Sequence, residues 1–248
     1  MATVTLKNPH SVLAALRHRP SSVIAVRVQR RGISDAWAEV VALADSHRIP
    51  IQEPLAETHS ARNRADAAGG RMGGNEATVQ ELQSRPLKGF FQRTESPGLW
   101  LALDHVQDPH NLGAILRSAA FFGVRGVVAT RDQSAPLTAV VYDVACGGVD
   151  SVPLTIIPNL VQAIEQAKEA GLWVLGTSEH APQKLGQIDR QRDWLLVLGN
   201  EEKGLRRLVL EHCDETCCIP PLGGDVLSLN VSVASGVLIA GLTGAIAP

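Results

Sequence analysis

Apolar residues follow two different rhythms along this chain, and the change between them divides it. Residues 11 to 18 and 34 to 48 carry apolar positions at helical spacing, while 22 to 28 (Ser-Val-Ile-Ala-Val-Arg-Val) and 49 to 52 read as strands. This order predicts a small α/β unit, with its domain placed at 1–75. From Thr58 to Ser96 the chain turns polar and glycine-rich, with Gly69-Gly70 and Gly73-Gly74 around Arg71 and Met72. Such a composition buries little apolar surface, so a linker is expected there, ending in a boundary segment at 76–97. From Gly98 onward, short apolar runs at 100–103, 126–129, 172–176, 194–198 and 216–219 alternate with helix candidates at 109–122, 137–144, 159–170, 204–211 and 228–242. Alternation of this kind predicts an α/β fold over 98–248, a mainly parallel sheet flanked by helices. No Gly-x-Gly-x-x-Gly follows the first of these strands, which argues against a dinucleotide-binding sheet.

Charge sharpens the division. Lys and Arg outnumber Asp and Glu by 13 to 9 in residues 1–95 and are outnumbered 10 to 16 in the remainder. A basic first part leaves room for a surface that docks on nucleic acid. Arg27, Arg30 and Arg31, at the end of the predicted strand, are its candidate phosphate contacts, with a solvated strand end as the alternative. None of Cys146, Cys213, Cys217 and Cys218 belongs to a Cys-x-x-Cys pair, so no metal site is expected. Reduced, partly buried thiols of a cytoplasmic protein fit them better. No signal peptide is expected, because Lys7 and His10 interrupt any apolar run. Residues 226–248 carry no charge, but their serines, glycines and Asn230 make them too polar for a membrane span. A helix buried in the core or at a subunit contact accounts for them.

Three stretches concentrate polar or glycine residues where apolar strands end or helices begin: Asp108-Pro-His-Asn-Leu-Gly-Ala-Ile-Leu-Arg117, Gly199-Asn-Glu-Glu-Lys-Gly204, and Ile219-Pro-Pro running to Ser228-Leu-Asn-Val-Ser232. Strand ends are where α/β folds gather ligand chemistry. In the first, Asp108 can cap a helix, Pro109 suits its first position and Gly123 can end it. Leu112, Ile115, Leu116, Ala119 and Phe122 should face the sheet, which leaves Asn111 and Arg117 for other work. A guanidinium at 117 matches phosphate geometry. In the second, glycines allow close backbone approach and Glu201 is the candidate carboxylate, with Glu202 and Lys203 on a solvated face. In the third, Ser228 is a candidate N-cap and Asn230 can both donate and accept.

Together, in order and spacing, these stretches resemble the three signature motifs of the SpoU/TrmH family of RNA ribose 2'-O-methyltransferases, over roughly residues 98 to 244. The resemblance implies a C-terminal trefoil knot, S-adenosylmethionine as methyl donor, no metal and a homodimer in which basic groups of one subunit approach the cofactor of the other. Carried over by position, it implies catalytic roles for Asn111, Arg117, Glu201, Ser228 and Asn230. It implies cofactor contacts from Thr177, Gly199, Ile219 and Leu229. A small RNA-binding domain often precedes the methyltransferase in this family. The run Ala145-Cys-Gly-Gly148 through Val152-Pro153 is similar to the subgroup that modifies a guanosine of large-subunit ribosomal RNA, which favours ribosomal over transfer RNA. The family commonly has one residue fewer between Ile-Pro and Ser-Leu-Asn than this chain does. Rival readings are an RNA-binding assembly factor without catalysis, a transfer-RNA 2'-O-methyltransferase, and a methyltransferase acting on a base.

Overall fold

The structure is a computed structural model that describes residues 2–29, 32–54, 74–223, 225–226 and 228–245. Two compact units emerge: Met1–Leu82 with Leu137–Ser151, and Gln83–Pro136 with Val152–Pro248.

The first unit is built on a four-stranded sheet in the order β1-β4-β2-β3, from Thr3–Leu6 (β1), Val23–Arg27 (β2), Ile51–Gln52 (β3) and Glu76–Gln80 (β4). β4 runs antiparallel to both β1 and β2. It falls in the segment read from sequence as linker, yet Ala77 and Val79 alternate inward and are fully buried. The helix Pro9–His18 starts at Asn8, whose side chain accepts from the His10 N–H at 2.9 Å, and Pro9 occupies its first turn where a missing N–H costs nothing.

Residues 137–151 belong to this unit through named contacts. The Asn8 N–H donates to the Asp143 carboxylate at 3.1 Å, the Ser11 hydroxyl donates to the Tyr142 carbonyl at 2.6 Å, and Arg19 pairs with Asp150, whose side chain is fully buried. Burial raises the Asp150 carboxyl above its ordinary range, while the Arg19 guanidinium pulls it back. Between the helices Ala139–Ala145 and Gly148–Ser151 the chain turns at Cys146 and Gly147, both at positive φ. A Cβ at Gly147 would lie 2.9 Å from the Ala14 Cβ and 3.1 Å from the His10 carbonyl oxygen, so only glycine fits.

The second unit holds a seven-stranded sheet in the order β7-β6-β5-β10-β8-β11-β9: Leu99–Leu103 (β5), Gly126–Thr130 (β6), Leu154–Ile157 (β7), Trp173–Thr177 (β8), Gln183–Lys184 (β9), Trp194–Leu198 (β10) and Glu215–Cys218 (β11). Every pairing is parallel. β5, β6 and β10 are buried along their whole length, which explains their unbroken apolar sequences. Burial of each leucine of these strands contributes about 1.5–3 kcal/mol. The helices Pro109–Phe121, Leu160–Glu169, Arg207–Glu211 and Val231–Thr243 accompany the sheet. The chain moves from β5 outward to β6 and β7, then crosses to β8 on the other side and inserts β10 between β5 and β8. Such a reversal opens a crevice at the carboxyl ends of the strands. Among the described residues, no helix is long and apolar enough to cross a membrane.

Candidate active site

All three sequence stretches meet at the carboxyl ends of these parallel strands. The helix Pro109–Phe121 begins at Asp108, whose side chain accepts from the His110 N–H at 2.9 Å, and Pro109 occupies its first position as the sequence predicts. Leu112, Ile115, Leu116 and Ala119 are buried on its inner face, and Gly123 follows at φ 70. Asn111 sits in the first turn and is itself buried, at 6% exposure. A buried amide needs partners, and it has two.

Its Nδ2 donates to Glu201 Oε1 at 3.0 Å, and its Oδ1 accepts from Asn230 Nδ2 at 3.0 Å. One residue from each stretch thereby joins a single hydrogen-bonded chain. Glu201 also accepts from the backbone N–H groups of Gln107 and Asp108, each at 3.4 Å, and from Asn200 Nδ2 at 3.3 Å. An ionised carboxylate suits this position because it only accepts. Asn230 is the N-cap of the helix Val231–Thr243: its Oδ1 takes the Ser232 N–H at 2.9 Å and the Val233 N–H at 3.4 Å. The sequence assigned that cap to Ser228. The structure moves it two residues on, because the Asn230 side chain is the one that reaches the free N–H groups of the first turn.

Asn200 shapes the loop that presents Glu201. Its Oδ1 accepts from the backbone of Glu202 and Lys203, both at 3.1 Å, its Nδ2 donates to the His105 carbonyl at 2.9 Å, and its backbone exchanges two 3.0 Å hydrogen bonds with Gly204. Asparagine commonly closes such turns on its own following backbone, a signal present in Gly199-Asn-Glu-Glu-Lys-Gly204 that the sequence reading passed over. Glu202 and Lys203 are exposed, as expected of a solvated face.

Beside this chain lies a crevice of about 710 Å³, a volume that suits a nucleoside-sized ligand. Thr177 at the end of β8, Gly199 after β10, Ile219 after β11, and Leu229 all line it, together with Glu201 and Ser228. Leu198, Leu205 and Leu238 supply apolar wall, while strand ends and loops supply backbone donors and acceptors. Thr177 Oγ1 is engaged with the Val197 carbonyl at 3.0 Å. Cys217, on the same wall, is buried, and burial pushes its thiol up to about 12. It is a small apolar filler and not a thiolate. Among the described residues no cluster of three His, Cys, Asp or Glu side chains forms a metal-binding group.

Arg117 stands apart from this chain. It is exposed and makes no hydrogen bond or ion pair among the described residues. Six residues along a helix turn it about a third of a revolution away from Asn111. In the first unit Arg27 pairs with Glu76 at 3.0 Å, so its guanidinium is already engaged; Arg30 and Arg31 lie outside the described residues. Two charged residues escaped the sequence reading. Asp104, fully buried at the end of β5, binds Arg206 at the end of the 199–206 segment. The visible signal was an aspartate closing the apolar run Leu101-Ala-Leu-Asp104.

Fold and site define an α/β protein with an all-parallel sheet, whose ligand crevice adjoins a polar chain drawn from three distant segments. A sequence model described as the SpoU rRNA Methylase family matches residues 98–240, more than half of the chain. The protein belongs to the SpoU rRNA methylase family. It is 39% identical over 236 residues to the 23S rRNA (guanosine-2'-O-)-methyltransferase RlmB of Pseudomonas putida, covering 93% of this chain and 92% of that one. It is 37% identical to the protein of the same name from Bordetella pertussis, covering 96% of each. Among solved structures, the SpoU methyltransferase AviRb from Streptomyces viridochromogenes in complex with AdoMet superposes with a TM-score of 0.78 at 20% identity, covering 98% of this chain and 90% of that one. The AdoMet-bound rRNA methyltransferase from Sinorhizobium meliloti gives 0.77 at 20% identity, covering 99% and 88%. At such identity these two likenesses establish the fold.

Proposed function

We propose that this protein transfers the methyl group of S-adenosylmethionine to a ribose 2'-hydroxyl of ribosomal RNA, at a guanosine of the 23S molecule. The observation that carries the reading is the chain Glu201–Asn111–Asn230, which joins all three motifs beside a crevice of nucleoside size. The residues lining the crevice fit the donor, with apolar wall for its adenine and methionine parts and backbone groups at the strand ends for its polar edges. The sulfonium supplies an electrophilic methyl, so no protein nucleophile is needed, in keeping with the protonated Cys217.

Positioning then supplies most of the acceleration, and well-oriented reactants gain about 7–11 kcal/mol. Glu201 fixes the Asn111 amide by accepting from it, and Asn111 fixes Asn230 in the same way. Each amide retains a second N–H for the sugar or its phosphate. Ser228, exposed on the crevice wall, offers a hydroxyl to the acceptor. Arg117 orients the phosphate next to the target ribose; a guanidinium, protonated at any working pH, does not serve as the base.

The active form in this reading is a homodimer. Val233 and Val237 on the helix Val231–Thr243 are 53% and 40% exposed, and Phe121, at the end of the helix packed beside it, is 82% exposed. An apolar face of this kind, with the exposed Arg117 one turn before Phe121, supports a subunit contact. The separation of Arg117 from the chain built on its own Asn111 supports its acting on the partner's site. The return of the chain from β11 to the helix beside β5 supports the C-terminal knot. The 13 Lys and Arg against 9 Asp and Glu in residues 1–95 support RNA docking by that stretch, with Arg30 and Arg31 as contacts and Arg27 joining them by exchanging its partner Glu76 for phosphate. Four free cysteines support a reducing, cytoplasmic setting.

Arg117→Lys tests the assignment. It keeps the charge but loses the fork, so methyl transfer should drop by about 10²-fold while the donor binds as before. Steady-state turnover and calorimetric titration of S-adenosylmethionine measure the two quantities. Normal turnover in this variant would remove Arg117 from the mechanism.

A further inference from the structure

We propose that Asp104 and Arg206 form a positioning pair that holds Glu201 in register with Asn111; the inference rests on the methyl-transfer reading above. Asp104 has no exposed surface, and a carboxylate so placed demands compensation. A single residue provides it. Arg206 donates Nε to Oδ1 at 2.8 Å and its backbone N–H to Oδ2 at 3.1 Å, and its Nη2 forms an ion pair with Oδ1 at 2.7 Å. The backbone N–H of Asp104 in turn donates to the Leu198 carbonyl at 2.8 Å, extending the β5–β10 ladder by one rung.

The pair does more than neutralise itself, because it lies between the two segments that carry catalytic chemistry. The 199–206 segment leaves β10, turns through Glu201 and returns. Its start is tied to the β5 exit by the Asn200 side chain on the His105 carbonyl, and its end by Arg206 on Asp104. His105 itself takes a left-handed φ of 62 and donates its N–H to Thr130 Oγ1 at 3.0 Å, which pins the carbonyl that Asn200 uses. Between the two ties, Glu201 accepts from Gln107 and Asp108 only at 3.4 Å, from Asn200 Nδ2 at 3.3 Å, and from Asn111 at 3.0 Å. Three of these four bonds are long, so the position of the carboxylate depends on the ties at either end of the segment. Stability alone does not account for the pair, since a carboxylate buried as Asp104 is, even when paired with an arginine whose side chain is 45% exposed, is commonly no better than an apolar side chain of the same volume. A geometric role does.

Asp104→Asn is nearly isosteric, but it withdraws the charge and sets an NH2 group against the Arg206 donors. Misplacement of a reacting group by about 1 Å costs up to roughly 10²-fold in rate, so kcat for transfer from tritiated S-adenosylmethionine to unmodified 23S rRNA should fall by about 10- to 100-fold. KM for the RNA should stay within about threefold, because lost positioning acts on the transition state and not on uniform binding. Asp104→Asn/Glu201→Gln should be no slower than Glu201→Gln alone, since residues acting through one another are non-additive. Arg206→Lys, which keeps the charge without the fork, should reproduce the kcat loss, and it decides the matter if the asparagine variant fails to fold. Turnover of both variants within about twofold of the parent, or losses that add to that of Glu201→Gln, would overturn the pair's role. A parent protein that transfers no methyl to RNA would instead count against the function proposed above.

Discussion

Replacement of Gly199 by alanine is expected to weaken S-adenosylmethionine binding by tenfold or more and to stop methyl transfer. A Cβ at this position would clash with the carbonyl group of Gly204 and the nitrogen of Leu205, all backbone atoms. A side chain in the way could rotate; a backbone held by paired hydrogen bonds between Asn200 and Gly204 cannot. Relief therefore requires opening the loop, and overpacking of a close-packed site costs about 1–3 kcal/mol even where neighbours are free to yield. Since about 1.4 kcal/mol corresponds to tenfold in affinity, the loss should be plain in a calorimetric titration. The same opening displaces Asn200 and Glu201, so turnover should fail along with binding. A Gly199→Ala protein that bound the donor at full affinity would show that this loop is no part of the donor site.

Glu201→Gln should lower kcat by about 10²-fold, the scale of losing one or two hydrogen bonds to a charged group at about 1.5–3 kcal/mol each. The carboxylate meets only donors: the Gln107 and Asp108 N–H groups and the Asn111 and Asn200 amides. A glutamine in its place must turn an NH2 toward at least one of them. The Asn111 amide then loses its orientation and Asn230 with it, while the crevice walls stay where they were. Donor affinity should change by less than about threefold, a contrast with the Gly199 variant that separates positioning from binding. Single-turnover methyl transfer beside equilibrium titration would read both, and an unimpaired Glu201→Gln enzyme would rule the carboxylate out of the constellation.

Much of the second unit was legible because parallel central strands must be apolar on both faces. The runs Leu99–Leu103 and Trp194–Leu198 stand out for that reason, and the cap Asp108-Pro109 marked its helix correctly. Short or edge strands carried less signal. Leu154–Ile157 has only four residues, behind a proline, and Gln183–Lys184 only two. Glu76–Gln80 shows clean alternation, but its glycine-rich approach drew it into the linker, and its worth lies in pairing with β1 and β2 far back in the chain. Likewise, nothing in the spacing of Asn111, Glu201 and Asn230 reveals that their amides and carboxylate bond to one another; that depends on the order in which the strands assemble. The cap passed from Ser228 to Asn230 because propensity ranks serine and asparagine alike and geometry chose between them.

The most direct test is to incubate the protein with methyl-tritiated S-adenosylmethionine and 23S rRNA from a strain lacking it, then digest the RNA to nucleosides. The account predicts label in 2'-O-methylguanosine, appearing about 10²-fold more slowly when Glu201→Gln replaces the parent protein. Label on a base, or no label on RNA that the protein nevertheless binds, would contradict it.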